Sequence, residues 1–98
     1  MMRDVPKGTS AVDAEIGRTL ELALPGVGTT GYRWEARPAH GVEVKRLPAR
    51  PAAAFGGTAP DIFQVTPRRA GDISIQLELR APWQPESAET RVVTLRIR

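Results

Sequence analysis

The sequence has no cysteine, so it can form no disulfide, no thiolate metal site and no cysteine nucleophile. Its single histidine, His40, lies in a Pro-Ala-His-Gly stretch typical of a turn, with no acidic neighbour to orient the imidazole. No serine stands in a nucleophile motif, and the carboxylates are scattered singly along the chain. We therefore predict no catalytic residue, no metal site and no cofactor, and we do not expect an enzyme.

Long apolar runs are missing as well. None approaches the roughly 18 residues that are needed to span a bilayer, so we expect no membrane association. The segment 1–11 reads MMRDVPKGTSA and lacks the apolar centre of a signal peptide. The location stays open between the cytoplasm and, if a leader was removed, the periplasm or the exterior.

The positive charge is not concentrated anywhere. The net charge is +3, and 12 of the 14 basic residues are arginines spread over the whole chain. Adjacent basic residues occur only at 45–46 and 68–69. A nucleic-acid surface normally needs a basic patch or stripe, so we predict no nucleic-acid partner.

What the sequence does contain is short segments in which apolar and polar residues alternate. Such alternation is typical of half-buried β-strands, and no segment shows a helical period over about eleven residues. We predict an all-β fold, an immunoglobulin-like antiparallel β-sandwich of about seven strands. It should occupy residues 10–98 as a single domain after a flexible N-terminus over residues 1–9. The predicted strands lie at 10–16, 20–24, 32–37, 42–47, 63–66, 73–80 and 93–98.

Three connections are unusual in composition. Segment 25–31 carries two threonines between glycines, 48–60 is rich in proline and contains Gly56-Gly57, and 81–87 holds Trp83 between prolines. Alternate connections of a sandwich emerge at the same end, so the three segments should share one end, as antibody loops do. Trp83 has little scaffold beside it in sequence and is a candidate interface anchor, although it could also fold back over the sandwich.

These segments resemble the three motifs of chagasin-type inhibitors of papain-family cysteine proteases. The resemblance rests on Thr-Thr-Gly-Tyr-x-Trp at 29–34, on the Gly-Gly loop before Phe63, and on Pro82-Trp83 at the end of a long strand. It covers the chain from about residue 10 onwards. Val27-Gly28 stands where the family has Asn-Pro, and Ala81 stands where it has Arg, which bears on potency and target range.

The resemblance implies a reversible inhibitor whose loops wedge into the protease cleft. The first of the three segments, which we call loop 1, would cover the catalytic cysteine and histidine, with Thr30 hydrogen-bonded to them. The second segment, loop 2, would lie along the non-primed side of the cleft. Trp83 of the third segment, loop 3, would pack on the primed side. The implied protease-binding residues are Gly28, Thr29, Thr30, Gly31 and Tyr32 in loop 1, Phe55, Gly56, Gly57 and Thr58 in loop 2, and Arg80, Ala81, Pro82 and Trp83 in loop 3.

The implied partner is therefore a papain-family cysteine protease, bound by a monomer. The alternative is a β-sandwich binding module that uses the same end of the fold for a non-protease partner. The departures from the family motifs favour this alternative, because they remove residues that the family uses for its contacts.

Overall fold

The computed structural model describes residues 2–27, 30–37, 39–47 and 59–98, and the regular elements in these ranges are all β-strands. None of the described residues forms a helix long and apolar enough to cross a membrane. The eight strands are β1 (Met2–Asp4), β2 (Gly8–Ala14), β3 (Leu20–Leu24), β4 (Arg33–Ala36), β5 (Val42–Arg46), β6 (Asp61–Pro67), β7 (Gly71–Arg80) and β8 (Glu89–Ile97).

The strands form two four-stranded sheets, with the orders β1-β3-β6-β5 and β2-β8-β7-β4. One face of each sheet is apolar because alternate residues of its strands are apolar, and the two apolar faces contribute to one core. The predicted sandwich is confirmed. It is not purely antiparallel, however, because β1 pairs with β3 and β2 pairs with β8 in parallel among the pairings described. The largest fully buried side chains of the core include Trp34, Leu22, Leu24, Ile75, Leu77 and Leu95.

The N-terminal segment differs from the expectation of a flexible 1–9. Met2–Asp4 pairs with β3, Gly8 begins the pairing with β8, and buried Val5 crosses between the two sheets. The Val5 amide donates to the Ala23 carbonyl oxygen at 2.9 Å. This segment is held by backbone pairing and by one buried side chain, that of Val5. Its sequence therefore shows no alternation of apolar and polar residues from which a strand could be predicted.

The strand register brings the ends of three connections together. Leu24 at the end of β3 pairs with Asp61 at the start of β6, and Arg33 at the start of β4 pairs with Arg80 at the end of β7. β5 reaches the same end, because Arg46 pairs with Phe63. The strand ends that carry the three unusual connections therefore share one end of the sandwich, as predicted. We call it the loop end.

Candidate functional site

Two aromatic side chains join loop 1 to loop 3 at the loop end. The rings of Tyr32 and Trp83 meet edge to face, with centroids 5.4 Å apart and an interplanar angle of 72°. The Tyr32 hydroxyl also donates to Oε1 of Gln84 at 3.2 Å. Trp83 nevertheless remains 61% exposed. It therefore packs against the sandwich end through one side, and the remainder of its ring is exposed.

Gly31 provides the space for this arrangement. Its φ is +87°, in the left-handed region that favours glycine. A Cβ placed on Gly31 would lie 2.6 Å from Cη2 and 2.7 Å from Cζ3 of Trp83. The tryptophan ring can therefore lie directly on the backbone of loop 1 only because residue 31 has no side chain.

Hydrogen bonds of Thr30 shape the described part of loop 1. The Thr30 hydroxyl donates to the Val27 carbonyl oxygen at 2.9 Å and accepts from the Tyr32 amide at 3.3 Å. The Thr30 amide reaches the same Val27 oxygen at 3.4 Å. Threonine side chains commonly stabilise turns in this way. The single hydroxyl proton of Thr30 is thus committed within the loop, and lone-pair capacity and the methyl group are left for a partner.

Trp34 is buried beneath loop 1 and is hydrogen-bonded to its first residue. It lies in β4, where it alternates with exposed Arg33 and Glu35, and its side chain is only 1% exposed. Its indole Nε1–H donates to the carbonyl oxygen of Pro25 at 3.1 Å. The last residue of the Thr-Thr-Gly-Tyr-x-Trp motif thus anchors the residue with which loop 1 begins. Alternation of apolar and polar residues along the predicted strand 32–37 places Trp34 in the core, and its burial confirms that prediction.

Loop 3 is held by Arg80, one of the predicted site residues. Its guanidinium donates to the Pro85 carbonyl oxygen at 3.1 Å and to Oε2 of Glu78 at 2.9 Å. Ala81 is 4% exposed, while Pro82 beside it is exposed. The structure therefore gives Arg80 an internal bracing role and leaves the Ala81 side chain little surface for a partner. Pro82 and Trp83 are the exposed members of the predicted loop 3 set, and the Arg80 side chain is 32% exposed.

Glu78 is a structural residue that the sequence pattern did not identify, because strand alternation places it on the outer face of β7. It is 5% exposed, since Arg37 and Arg80 cover its carboxylate on that face. The Arg37 contact is 2.7 Å long. The pairing of Arg37 with Glu78 can be recognised only once the strands are aligned, because the two residues are 41 positions apart in the sequence.

These contacts make stability sensitive to acid. Hydrogen bonds from Arg37 and then Arg80 hold the pKa of Glu78 below its ordinary value. The stabilisation is therefore present above the unfolded-state pKa of about 4.3 and is lost as the pH falls through the lower folded-state pKa. In thermal unfolding from about pH 7 to about pH 2, we expect Glu78→Gln to unfold at a lower temperature at neutral pH and the difference from wild type to shrink on acidification. Arg68 also lowers the pKa of Glu43. Because Glu43 is present in both wild type and Glu78→Gln, its effect on the pH dependence of stability cancels in the comparison. A difference independent of pH would contradict this account.

Six of the predicted site residues lie outside the described ranges. They are Gly28 and Thr29 of loop 1 and Phe55, Gly56, Gly57 and Thr58 of loop 2. Within the ranges that are described, no three His, Cys, Asp or Glu side chains are grouped so that they could hold a metal ion.

Residues 13–97 match the family model described as chagasin family peptidase inhibitor I42. The chain belongs to the chagasin family of peptidase inhibitors. This membership covers most of the sandwich, including all three predicted loops and the Trp34 anchor. It confirms the predicted family and identifies the protein as an inhibitor rather than an enzyme. A search of curated protein sequences found no match.

Solved structures share the fold of this chagasin-family chain. The cysteine protease inhibitor EhICP2 from Entamoeba histolytica superposes with a TM-score of 0.75 at 18% identity, over 99% of this chain and 95% of its own. The solution structure of Amebosin gives a TM-score of 0.68 at 22% identity, over 95% of this chain and 100% of its own. PbICP-C, solved in complex with falcipain-2, gives 0.67 at 14% identity, over 99% and 98%. At these identities the similarity establishes the fold.

Proposed function

We propose that this chagasin-family chain reversibly inhibits papain-family cysteine proteases by inserting its loop end into the active-site cleft. The observation that carries the proposal is the joint surface of Gly31, Tyr32 and Trp83, in which loops 1 and 3 touch and a large aromatic ring stays exposed. The family assignment supports inhibition of a peptidase. The description of EhICP2 and the complex of PbICP-C supports a cysteine protease as the target.

The shape of loop 1 suggests why a protease would not cleave it. A substrate lies along a cleft as an extended strand. Thr30 instead hydrogen-bonds back to the Val27 carbonyl oxygen, and Gly31 has a φ of +87° that no extended strand adopts. The backbone would therefore block the catalytic cysteine and histidine without presenting a scissile bond in a reactive geometry. Thr30 would meet the catalytic pair chiefly as an acceptor, because its proton is already donated to Val27.

The affinity in this proposal comes from a shape that is formed before binding. Trp34 fixes the start of loop 1, and Arg80 fixes loop 3 through the Pro85 carbonyl oxygen. Loops that are already ordered lose less conformational entropy on binding than mobile ones. Trp83 would supply the main apolar anchor on the primed side, with Pro82 beside it. Phe55, Gly56, Gly57 and Thr58 would add contacts on the non-primed side.

Titration of papain with the purified protein tests the proposal. We expect activity to fall to zero near one equivalent of inhibitor, to return on dilution, and to leave the inhibitor chain intact by mass spectrometry. Absence of inhibition at about 10 µM against papain and several cathepsins would refute the proposal, since that concentration reveals binding free energies stronger than about −7 kcal/mol.

The same titration addresses the alternative of a non-protease partner. Two observations favour that alternative. The Arg80 guanidinium is already hydrogen-bonded to Glu78 and Pro85, and a buried Ala81 stands where the resemblance implies an arginine. If this protein inhibits none of these proteases, but binds another protein and loses that binding when Trp83 is mutated, it is a binding module of this second kind.

A further inference from the structure

A buried arginine lies beneath the loop end, outside all three loops. Arg91 continues the inward face of β8 that Val93, Leu95 and Ile97 form, and it is itself buried. Its guanidinium carbon lies 5.1 Å from the ring centroid of Trp34, a distance typical of cation–π stacking. Burying a charged group beside the core costs free energy unless the charge is well paired, so we expect Arg91 to have a specific role.

The remaining contacts of this guanidinium lead to the N-terminal segment. Its NH1 group donates to the Val5 carbonyl oxygen at 2.7 Å, and its Nε donates to the Glu89 carboxylate. Val5 is in turn fixed to β3 through the Ala23 carbonyl oxygen. One side chain therefore contacts the N-terminal crossover and the tryptophan that anchors loop 1.

We propose that Arg91 is a positioning residue for inhibition, which couples the N-terminal crossover at Val5 to the base of loop 1 through Trp34. The stacked guanidinium fixes the plane of the indole ring. The orientation of that plane directs the Nε1–H towards the Pro25 carbonyl oxygen. The N-terminal segment thereby becomes part of the scaffold of loop 1, although it precedes the family match that begins at residue 13.

The inference rests on the proposed function for its effect on proteases, but its structural core can be measured in the free protein. Arg91→Met retains side-chain length and removes the charge and the hydrogen-bond donors. Arg91→Lys retains the charge without the planar donor group. Arg96→Met is the matched control, because Arg96 lies on the same strand with its side chain exposed.

Hydrogen exchange by NMR gives a readout that a merely structural role would not produce. In Arg91→Met we expect the Trp34 indole proton and the Val5 amide to exchange about tenfold faster, with Arg91→Lys intermediate and Arg96→Met unchanged. The core amides of Ile75 and Leu95 report global unfolding and should keep their wild-type rates. Equal acceleration of the core amides, or no acceleration at Trp34 and Val5, would overturn the proposal.

Dissociation from papain gives the functional half of the test. We expect the dissociation rate constant of Arg91→Met to rise about tenfold, with a small change in the association rate constant. A dissociation rate equal to that of wild type and Arg96→Met would remove Arg91 from the inhibitory scaffold. If the wild-type protein does not inhibit, the proposed function fails, whereas the exchange experiment still decides the coupling of Arg91 to Trp34.

Discussion

Replacing Trp83 with alanine should weaken the inhibition of papain about thirtyfold, because truncation of an aromatic interface anchor costs about 2 kcal/mol of binding free energy. The ring is 61% exposed and stands at the loop end beside Tyr32. Most of its apolar area is therefore available to a protease. Its loss removes one edge-to-face contact from the free protein, so the free energy of unfolding should fall by about 1 kcal/mol or less. Inhibition constants and thermal unfolding of the same preparations check both statements.

Trp83→Phe is the informative companion variant. Phenylalanine keeps a ring that can meet Tyr32 and cover Gly31, so it should retain part of the affinity that alanine loses. A large fall in unfolding temperature for Trp83→Ala, without loss of inhibition in the folded fraction, would instead make Trp83 a structural residue of the sandwich end.

Gly31→Ala should disrupt the same surface from the opposite side. The new methyl group would lie 2.6 Å from the Trp83 ring, and the position has a φ of +87°. The backbone alone accounts for about 1–2 kcal/mol of lost stability. Because the Trp83 side chain must also move off loop 1, we expect inhibition to weaken about thirtyfold, as for loss of the anchor itself.

Gly17→Ala separates these two effects. Gly17 has a φ of +78°, so alanine there meets the same backbone penalty, but no heavy atom lies within 4 Å of the added Cβ. It lies in the turn between β2 and β3, away from the loop end. We expect a similar loss of stability with inhibition within about twofold of wild type. Equal loss of inhibition in both variants would show that this loss does not depend on the contact between Gly31 and Trp83.

The sequence predicted those features that depend on local pattern. Strand alternation identified the burial of Trp34, and counting of connections identified the common end, because both follow from the period of a β-strand and from sandwich geometry. The proline neighbours of Trp83 indicated a tip but left open whether its ring is exposed or folds back, and the ring in fact contacts Tyr32 while remaining 61% exposed. The strand boundaries were less accurate, since β8 begins at Glu89 in a polar stretch that only pairing with β7 makes a strand.

The features that escaped prediction depend on distant partners. Glu78 is buried under Arg37, which directly follows β4, and Arg91 contacts Val5, which lies 86 residues away in the sequence. No local pattern encodes such pairs. The N-terminal strand was missed for the same reason, because its order depends on backbone pairing with β3. Ala81 was assigned to the interface by family position, whereas its burial depends on how loop 3 folds back.

In the proposed complex the loop end covers the catalytic cysteine of a papain-family protease. The most direct measurement is the rate at which iodoacetamide alkylates the papain active-site cysteine, with wild-type inhibitor at one equivalent and with Gly31→Ala or Gly17→Ala in its place. We predict that wild type and Gly17→Ala protect the cysteine almost completely and that Gly31→Ala protects it much less. Alkylation at the rate of free papain in the presence of wild-type inhibitor would contradict the claim.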